Sequence, residues 1–219
     1  MHYNNLNNMM AESKEQLKAN SKYSGSGGLT REQFLFHEMR ITAKLMNSGL
    51  DDKQIADAII SDNLFQYPTE KSLRNVLGGC IRRLKALHDE TLVAAVASQP
   101  VEVAKEICLY AMMKNSSLVN DFMVDVIGEK YRLKDLSFSK TDVNAFFFRI
   151  QEQDDYVATW TDSTINKIKQ VLIKTLVETE YLNNIKSNKL NPVWIDSILL
   201  NSIKSNGDYA ALPAFNYFE

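Results

Sequence analysis

The chain is poor in the residues that staple, break or metallate a small protein. Its 219 residues include two cysteines, Cys80 and Cys108, and three scattered histidines, His2, His37 and His88. No Cys/His spacing of the zinc-binding kind occurs, so no metal or other cofactor is expected. Both cysteines fall inside apolar helical patterns and read as small core residues in a reducing compartment. Eight glycines and four prolines impose few obligatory turns, which favours helices. Long apolar runs are also missing. The longest uncharged one, residues 91–101, is interrupted by Ser98, Gln99 and Pro100 and is too short to cross a bilayer. The N-terminus lacks the apolar stretch of a signal peptide, so the expected location is the cytoplasm, away from membranes. Charge of one sign is lacking too. With 25 Lys/Arg against 27 Asp/Glu and a net charge of −2, binding to a polyanion must come from local basic faces.

What is present suits an all-α globular fold. Apolar residues make up 45% of the chain, enough for one large domain or two small ones. Residues 1–28 are rich in Asn, Ser and Gly and read as a mobile or late-docking arm. The run Gly25-Ser26-Gly27-Gly28 lacks the strand before it and the Gly-Lys-Ser/Thr after it that a phosphate loop requires. Thr30 and Gln33 have capping-box spacing, so a first helix is expected from Thr30 to about Gly49. Asp51 with Gln54 caps a short helix carrying Ile55, Ala56 and Ile59 and ending near Asn63. Pro68 and Thr69 open a helix to about Leu87, with a buried stripe of Leu73, Val76, Leu77, Cys80, Ile81, Leu84 and Leu87. Helices follow at about 90–98, 100–114 and 117–132. A break at 135–140 is the expected domain boundary, dividing an N-terminal helical domain (29–135) from a C-terminal domain (136–219). Beyond it the pattern predicts a helix over 141–153, a short turn or helix holding Tyr156, Val157 and Trp160, a long helix over 162–182, a polar hairpin or loop at 185–190, a helix over 192–204 and an aromatic tail that packs back.

Two units expose polar faces of interest. Residues 51–87 have the short helix, turn and second helix of a helix-turn-helix. On the second helix, Lys71, Asn75, Gly78 and Arg82 lie opposite the apolar stripe, with Ser72 near the helix start and Arg74 and Lys85 alongside. Residues 69–87 hold five Lys/Arg and one Glu, a local charge of +4. Arginine and lysine neutralise phosphates, and asparagine can read an adenine edge. A solvated face is the plain alternative. Gly78 would let another backbone come close. Residues 141–190 follow the order of a winged helix-turn-helix. On their long helix Ser163, Lys167, Gln170 and Lys174 share a face, with Thr164 and Asn166 beside it. Hydroxyls at a helix start suit a phosphate, and Asn184, Lys186, Asn188 and Lys189 would sit in the wing. The acidic run Glu152, Asp154 and Asp155 should then point away from bound DNA.

Glu38 falls within the apolar stripe of the first helix and needs a partner; Arg83 is the expected mate. Phe148 lies off its helix stripe and is expected to be covered by the other half. No Gly-x-Ser-x-Gly, His-Glu-x-x-His or Cys/His pair suggests an enzyme, so no catalytic residue is assigned.

The ordered set Gly28-Leu29, Glu38-Met39-Arg40, Asn63-Leu64-Phe65-Gln66, Ser72-Leu73-Arg74, Arg82-Arg83-Leu84, Met112-Met113-Lys114, Asp121-Phe122 and Trp160…Thr164…Lys167 resembles the BrxA family, small core proteins of BREX (bacteriophage exclusion) phage-defence systems. The resemblance covers nearly the whole chain from Leu29. It implies an all-helical protein with helix-turn-helix elements, non-catalytic binding of double-stranded DNA and a monomeric state. It also implies work beside a methyltransferase, an ATPase and other defence components. The expected DNA contacts, from the helical faces above, are Lys71, Ser72, Arg74, Asn75, Arg82, Lys85, Ser163, Thr164, Asn166, Lys167, Gln170 and Lys174. The rival reading is a helical adaptor that docks defence proteins through the same basic faces.

Overall fold

The computed structural model describes residues 13–218. Among them every extended regular element is a helix, and one antiparallel bridge, Ser137 to Lys189, is the nearest approach to a sheet. Residues 13–20 are helical and lead into a 3-10 turn, Ser26–Thr30. Then come α1 (Phe36–Asn47), α2 (Asp52–Ser61), α3 (Glu70–Ala86), α4 (Glu90–Ser98) and α5 (Val101–Asn115). Next, α6 (Ser117–Phe122) widens through a π turn, Met123–Gly128, into α7 (Glu129–Arg132). The remainder is α8 (Lys140–Gln153), α9 (Asp155–Ala158), α10 (Asp162–Glu178), α11 (Ser197–Ser205) and a closing 3-10 turn, Tyr209–Phe215.

The local signals explain most of these boundaries. Gly49, at φ +81°, ends α1, a conformation that costs glycine little. Asp51 and Gln54 form the capping box of α2, the backbone N–H of Gln54 donating to Asp51 at 2.8 Å and that of Asp51 to Gln54 at 2.9 Å. Asn63 takes a left-handed φ of +46° and its side chain brackets the backbone of Tyr67 at 3.0 Å on both sides. Thr69 accepts from the backbone N–H of Ser72 and starts α3; Thr161 does the same for Thr164 and α10. The apolar stripes lie inward as their period requires: Leu73, Val76, Leu77, Cys80 and Leu84 on α3, and Val143, Phe146, Phe147 and Ile150 on α8, are buried. Both thiols are free and buried, and burial pushes that of Cys80 up to about 12 and that of Cys108 higher still.

The first helix departs from its expected start. It begins at Phe36, not Thr30, because the carbonyls of Glu32, Gln33 and Phe34 accept from the Arg83 guanidinium at 2.7, 2.7 and 3.0 Å instead of joining a helical ladder. Leu35 then turns the chain at φ +58°. The long helix stops at Glu178 and the chain reverses at Glu180, φ +67°. The last helix starts at Ser197, where Asp196 accepts from the backbone N–H of Ile198 at 2.8 Å; residues 191–196 run without helical bonds. Of the two readings for residues 185–190, the loop describes them. Asn188 and Leu190 pair with Phe138 and Leu136 across the 133–139 break rather than with each other. Phe148 is 65% exposed rather than packed.

One buried cluster takes side chains from both sides of that break, from Tyr23 to Phe215. Phe122 meets Phe146 edge-on at 5.4 Å, and Tyr110 meets Phe215 at 6.4 Å, a favourable aromatic geometry. The aromatic tail returns as expected, burying Leu212 and Phe215. Gly128 makes this return close, since a Cβ there would lie 2.8 Å from that of Pro213. Residues 1–12 of the N-terminal arm lie outside the described residues. From Ser21 the arm is held down: Ser21 donates to Asp154, Tyr23 donates to Asp121, and Lys22 pairs with Asp121, each at 2.7 Å.

Candidate nucleic-acid interface

Both candidate helices are 17 residues long and both turn a polar face outward. On α3, Lys71, Arg74, Asn75, Arg82 and Lys85 are exposed, and Ser72 is half-buried with its hydroxyl against Thr69 at 2.8 Å. Most of the positive charge there is already matched. Arg74 pairs with Glu70 at 2.7 Å, Lys85 with Asp52 at 2.6 Å, and Arg82 with Glu32. Lys71 is the one α3 cation both exposed and without a carboxylate partner among the described residues. The fifth cation, Arg83, is 1% exposed. Its guanidinium holds the 32–34 backbone, and burial pulls it below the ordinary arginine range.

Glu38 is not its mate. Glu38 accepts from the Tyr67 hydroxyl at 3.0 Å, which ties α1 to the α2–α3 connection. Nor is Gly78 the point of close approach. A Cβ on Gly78 would meet only the Arg82 side chain at 3.4 Å, whereas at Gly79 it would lie 2.8 Å from the Glu32 carboxylate. The small residue that matters on α3 therefore makes room for Glu32, the acid that faces Arg82.

On α10 the balance differs. Ser163, Asn166, Lys167, Gln170 and Lys174 are exposed. Thr164 is half-buried; its hydroxyl and that of Ser163 lie 3.0 and 2.9 Å from the Thr161 hydroxyl, forming a small cluster at the helix start. Neither Lys167 nor Lys174 has an ion-pair partner among the described residues, although the Glu178 carboxyl one turn on senses Lys174. A shallow groove of about 300 Å³ runs beside them between α8 and α10, lined by Lys140, Asn144, Asn166, Lys169 and Gln170. Lys169 donates to Asn144 at 2.8 Å and sits over the Phe147 ring. Lys140, Lys186 and Lys189 are exposed, and none carries an ion pair among the described residues. Lys140, Asn144 and Lys169 escaped the sequence reading because they belong to this face only once α8 packs beside α10. The one available signal was the Ser139 cap, which places Lys140 in a helical first turn.

The two helices share a neighbour. The Ser26–Thr30 turn packs against α10, and residues 32–34 directly after it are gripped by Arg83 of α3. Within the acidic run, Asp154 is turned inward, accepting from Ser21 and from the backbone N–H of Val157. Among the described residues no group of His, Cys, Asp and Glu is placed to hold a metal ion, and no helix is long and apolar enough to cross a membrane.

Among the described residues the protein belongs to the class of all-helical proteins with basic helix faces on their surface, and relatives narrow that class. The BrxA family model matches residues 21–207. A "BREX protein BrxA" from Bacillus cereus is 36% identical over 71% of this chain and 77% of its own length. One from Paramagnetospirillum magneticum is 25% identical over 78% of this chain and 85% of its own. The crystal structure of an uncharacterized protein from Magnetospirillum magneticum superposes with a TM-score of 0.73 at 22% identity, covering 86% of this chain and 96% of that one; it supports the fold. The chain belongs to the BrxA family, a component of BREX phage-defence systems.

Proposed function

We propose that this protein is a non-enzymatic component of a BREX phage-defence system that binds double-stranded DNA, with the α10 face as its principal contact. The observation that carries this reading is the set of exposed lysines on and around α10 that have no ion pair among the described residues: Lys140, Lys167, Lys174, Lys186 and Lys189. Free cations release counterions from a duplex without first giving up a partner carboxylate. Ser163, Thr164, Asn166 and Gln170 supply hydrogen-bonding groups at the same helix start and flank, where the helix terminus adds partial positive charge. Lys71, Arg74, Asn75, Arg82 and Lys85 on α3, with Ser72 at its start, form the second, weaker face. The two helices flank one continuous segment, residues 26–34; engagement of one duplex by both would raise its affinity without a dimer.

The interleaved carboxylates Glu32, Asp52 and Glu70 favour a different use for α3. A mixed-charge surface suits another protein of the defence complex better than a polyanion. The experiment measures binding of a fluorescent 30-base-pair duplex across a salt series. Lys167→Glu with Lys174→Glu is expected to weaken binding roughly tenfold or more and to flatten the salt slope. Undiminished binding by that variant, still folded, removes the α10 contact.

A further inference from the structure

A second groove, roomier than the one between α8 and α10, opens at the C-terminal end of α10. Its volume is about 810 Å³. The first turns of α5 form one wall, the turn after α10 a second, and the unpaired run 191–196 a third. Trp194 stands on its rim 81% exposed, the most exposed large apolar side chain among the described residues. Phe148, Tyr209 and Phe218 are exposed as well, at 65%, 51% and 43%, but among these Trp194 alone lines a groove, and an indole in water at such a rim marks a contact surface.

The chemistry of the walls says what kind of partner. Glu102, Glu106, Glu180 and Asp196 line the groove against a single cation, Lys105, and that cation is already paired with Glu180 at 3.3 Å. Glu102 is exposed with no ion pair among the described residues. Glu106 accepts from the backbone N–H of Asp196 at 3.1 Å, and burial raises its carboxyl to about 7. Along the third wall, the backbone N–H groups of Val193, Trp194 and Ile195 make no hydrogen bond among the described residues, and in an extended run alternate ones, such as those of Val193 and Ile195, share one edge to which a partner chain can add. An indole face that shares a groove with the exposed Glu102 carboxylate, which has no ion pair among the described residues, selects a cation, lysine or arginine, by cation–π attraction and by charge. The same acidity repels DNA, so this surface is separate from the proposed duplex contact.

We infer that the groove docks an extended, lysine- or arginine-bearing segment of a partner protein, its cation held between Trp194 and the Glu102–Glu106 side of α5. The test uses the full chain and labelled hexa-arginine, with labelled hexaglutamate as control, followed by fluorescence anisotropy. Trp160→Phe leaves Trp194 as the sole indole for a second, label-free readout. Saturable hexa-arginine binding that quenches Trp194, with none for hexaglutamate, is expected. Trp194→Ala, at an exposed position that keeps the fold, and Glu102→Gln with Glu106→Gln should each weaken it at least tenfold while duplex DNA binding stays unchanged. Equal hexa-arginine affinity in either variant overturns the proposal. So does a self-association abolished by Trp194→Ala, which would give the groove to a second copy. Loss of DNA binding in the α10 variant with hexa-arginine binding intact leaves the two readings independent.

Discussion

Helices α3 and α10 are built alike and carry their charge differently. Each is 17 residues long, each begins on a threonine that caps its third residue, and each buries one apolar stripe. The difference lies in where their cations go. On α3, three of five are matched by carboxylates and a fourth, Arg83, is folded into the body. On α10 and the loop after it, Lys167, Lys174, Lys186 and Lys189 stand in solvent with no ion pair among the described residues. Charge counted along a segment is therefore not charge offered to a ligand. The +4 of residues 69–87 helps to position α3 against Glu32, Asp52 and the 32–34 backbone, while the smaller formal charge of α10 is the more available one.

The sharpest way to break this comparison is to remove the arginine that makes α3 structural. Arg83→Met should destabilise the protein by roughly 2–4 kcal/mol, since three backbone carbonyls in or near the interior lose their donor. The urea midpoint measures it; a loss below about 1 kcal/mol would mean that residues 32–34 are held by packing alone. The next largest effect sets the faces against each other. Lys167→Glu with Lys174→Glu should cost roughly tenfold or more in duplex affinity, whereas Arg74→Glu with Arg82→Glu should cost only about threefold, because those arginines gave up carboxylates to bind. The reverse ranking would move the principal contact to α3.

How far the sequence reveals this contrast depends on the range of each interaction. Capping residues act over three positions, so Asp51 and Thr69 mark their helices correctly. Apolar stripes act over one turn, so the buried residues of α3 and α8 are legible as well. The partners of Arg82 and Lys85 lie 50 and 33 residues away, and no local period points to them. Thr30 and Gln33 carry a sound capping signal that fails because Arg83, far along the chain, takes the carbonyls the helix would need. Trp194 is visible as a residue but not as a rim, since its groove needs the start of α5, far back in the chain, beside the segments 177–183 and 191–196. Helices were thus readable, and the couplings between them were not.

A third effect concerns the boundary between stability and the groove. Glu106 carries its proton more tightly when folded, at about 7 against an ordinary 4.5. Between those values the native state binds more protons than the unfolded one. The stability contributed by this group is whole below about pH 4.5 and is lost as pH rises through 7. Glu106→Gln keeps the acceptor for Asp196 but cannot ionise. It should match the parent near pH 4.5 and gain about 1–2 kcal/mol over it by pH 8, a value reduced from the full linkage because the site opens to solvent. Thermal unfolding across that range reads it directly, and parallel curves would show that burial does not hold the proton.

The smallest expected effect is the most pointed for the two helices. If carboxylates mute α3, removing them should let it speak. Asp52→Asn with Glu70→Gln leaves the capping residues Asp51 and Thr69 in place and frees Lys85 and Arg74. Exposed pairs of this kind contribute under about 1 kcal/mol each, so the fold should survive with little change. Duplex affinity should rise about two- to fivefold at low salt, with a steeper salt slope as two more cations meet phosphate. If affinity stays level, α3 does not face the duplex at all, and its alternating charges belong to contact with another protein. That outcome would leave α10 as the lone DNA face and give its twin helix a separate partner.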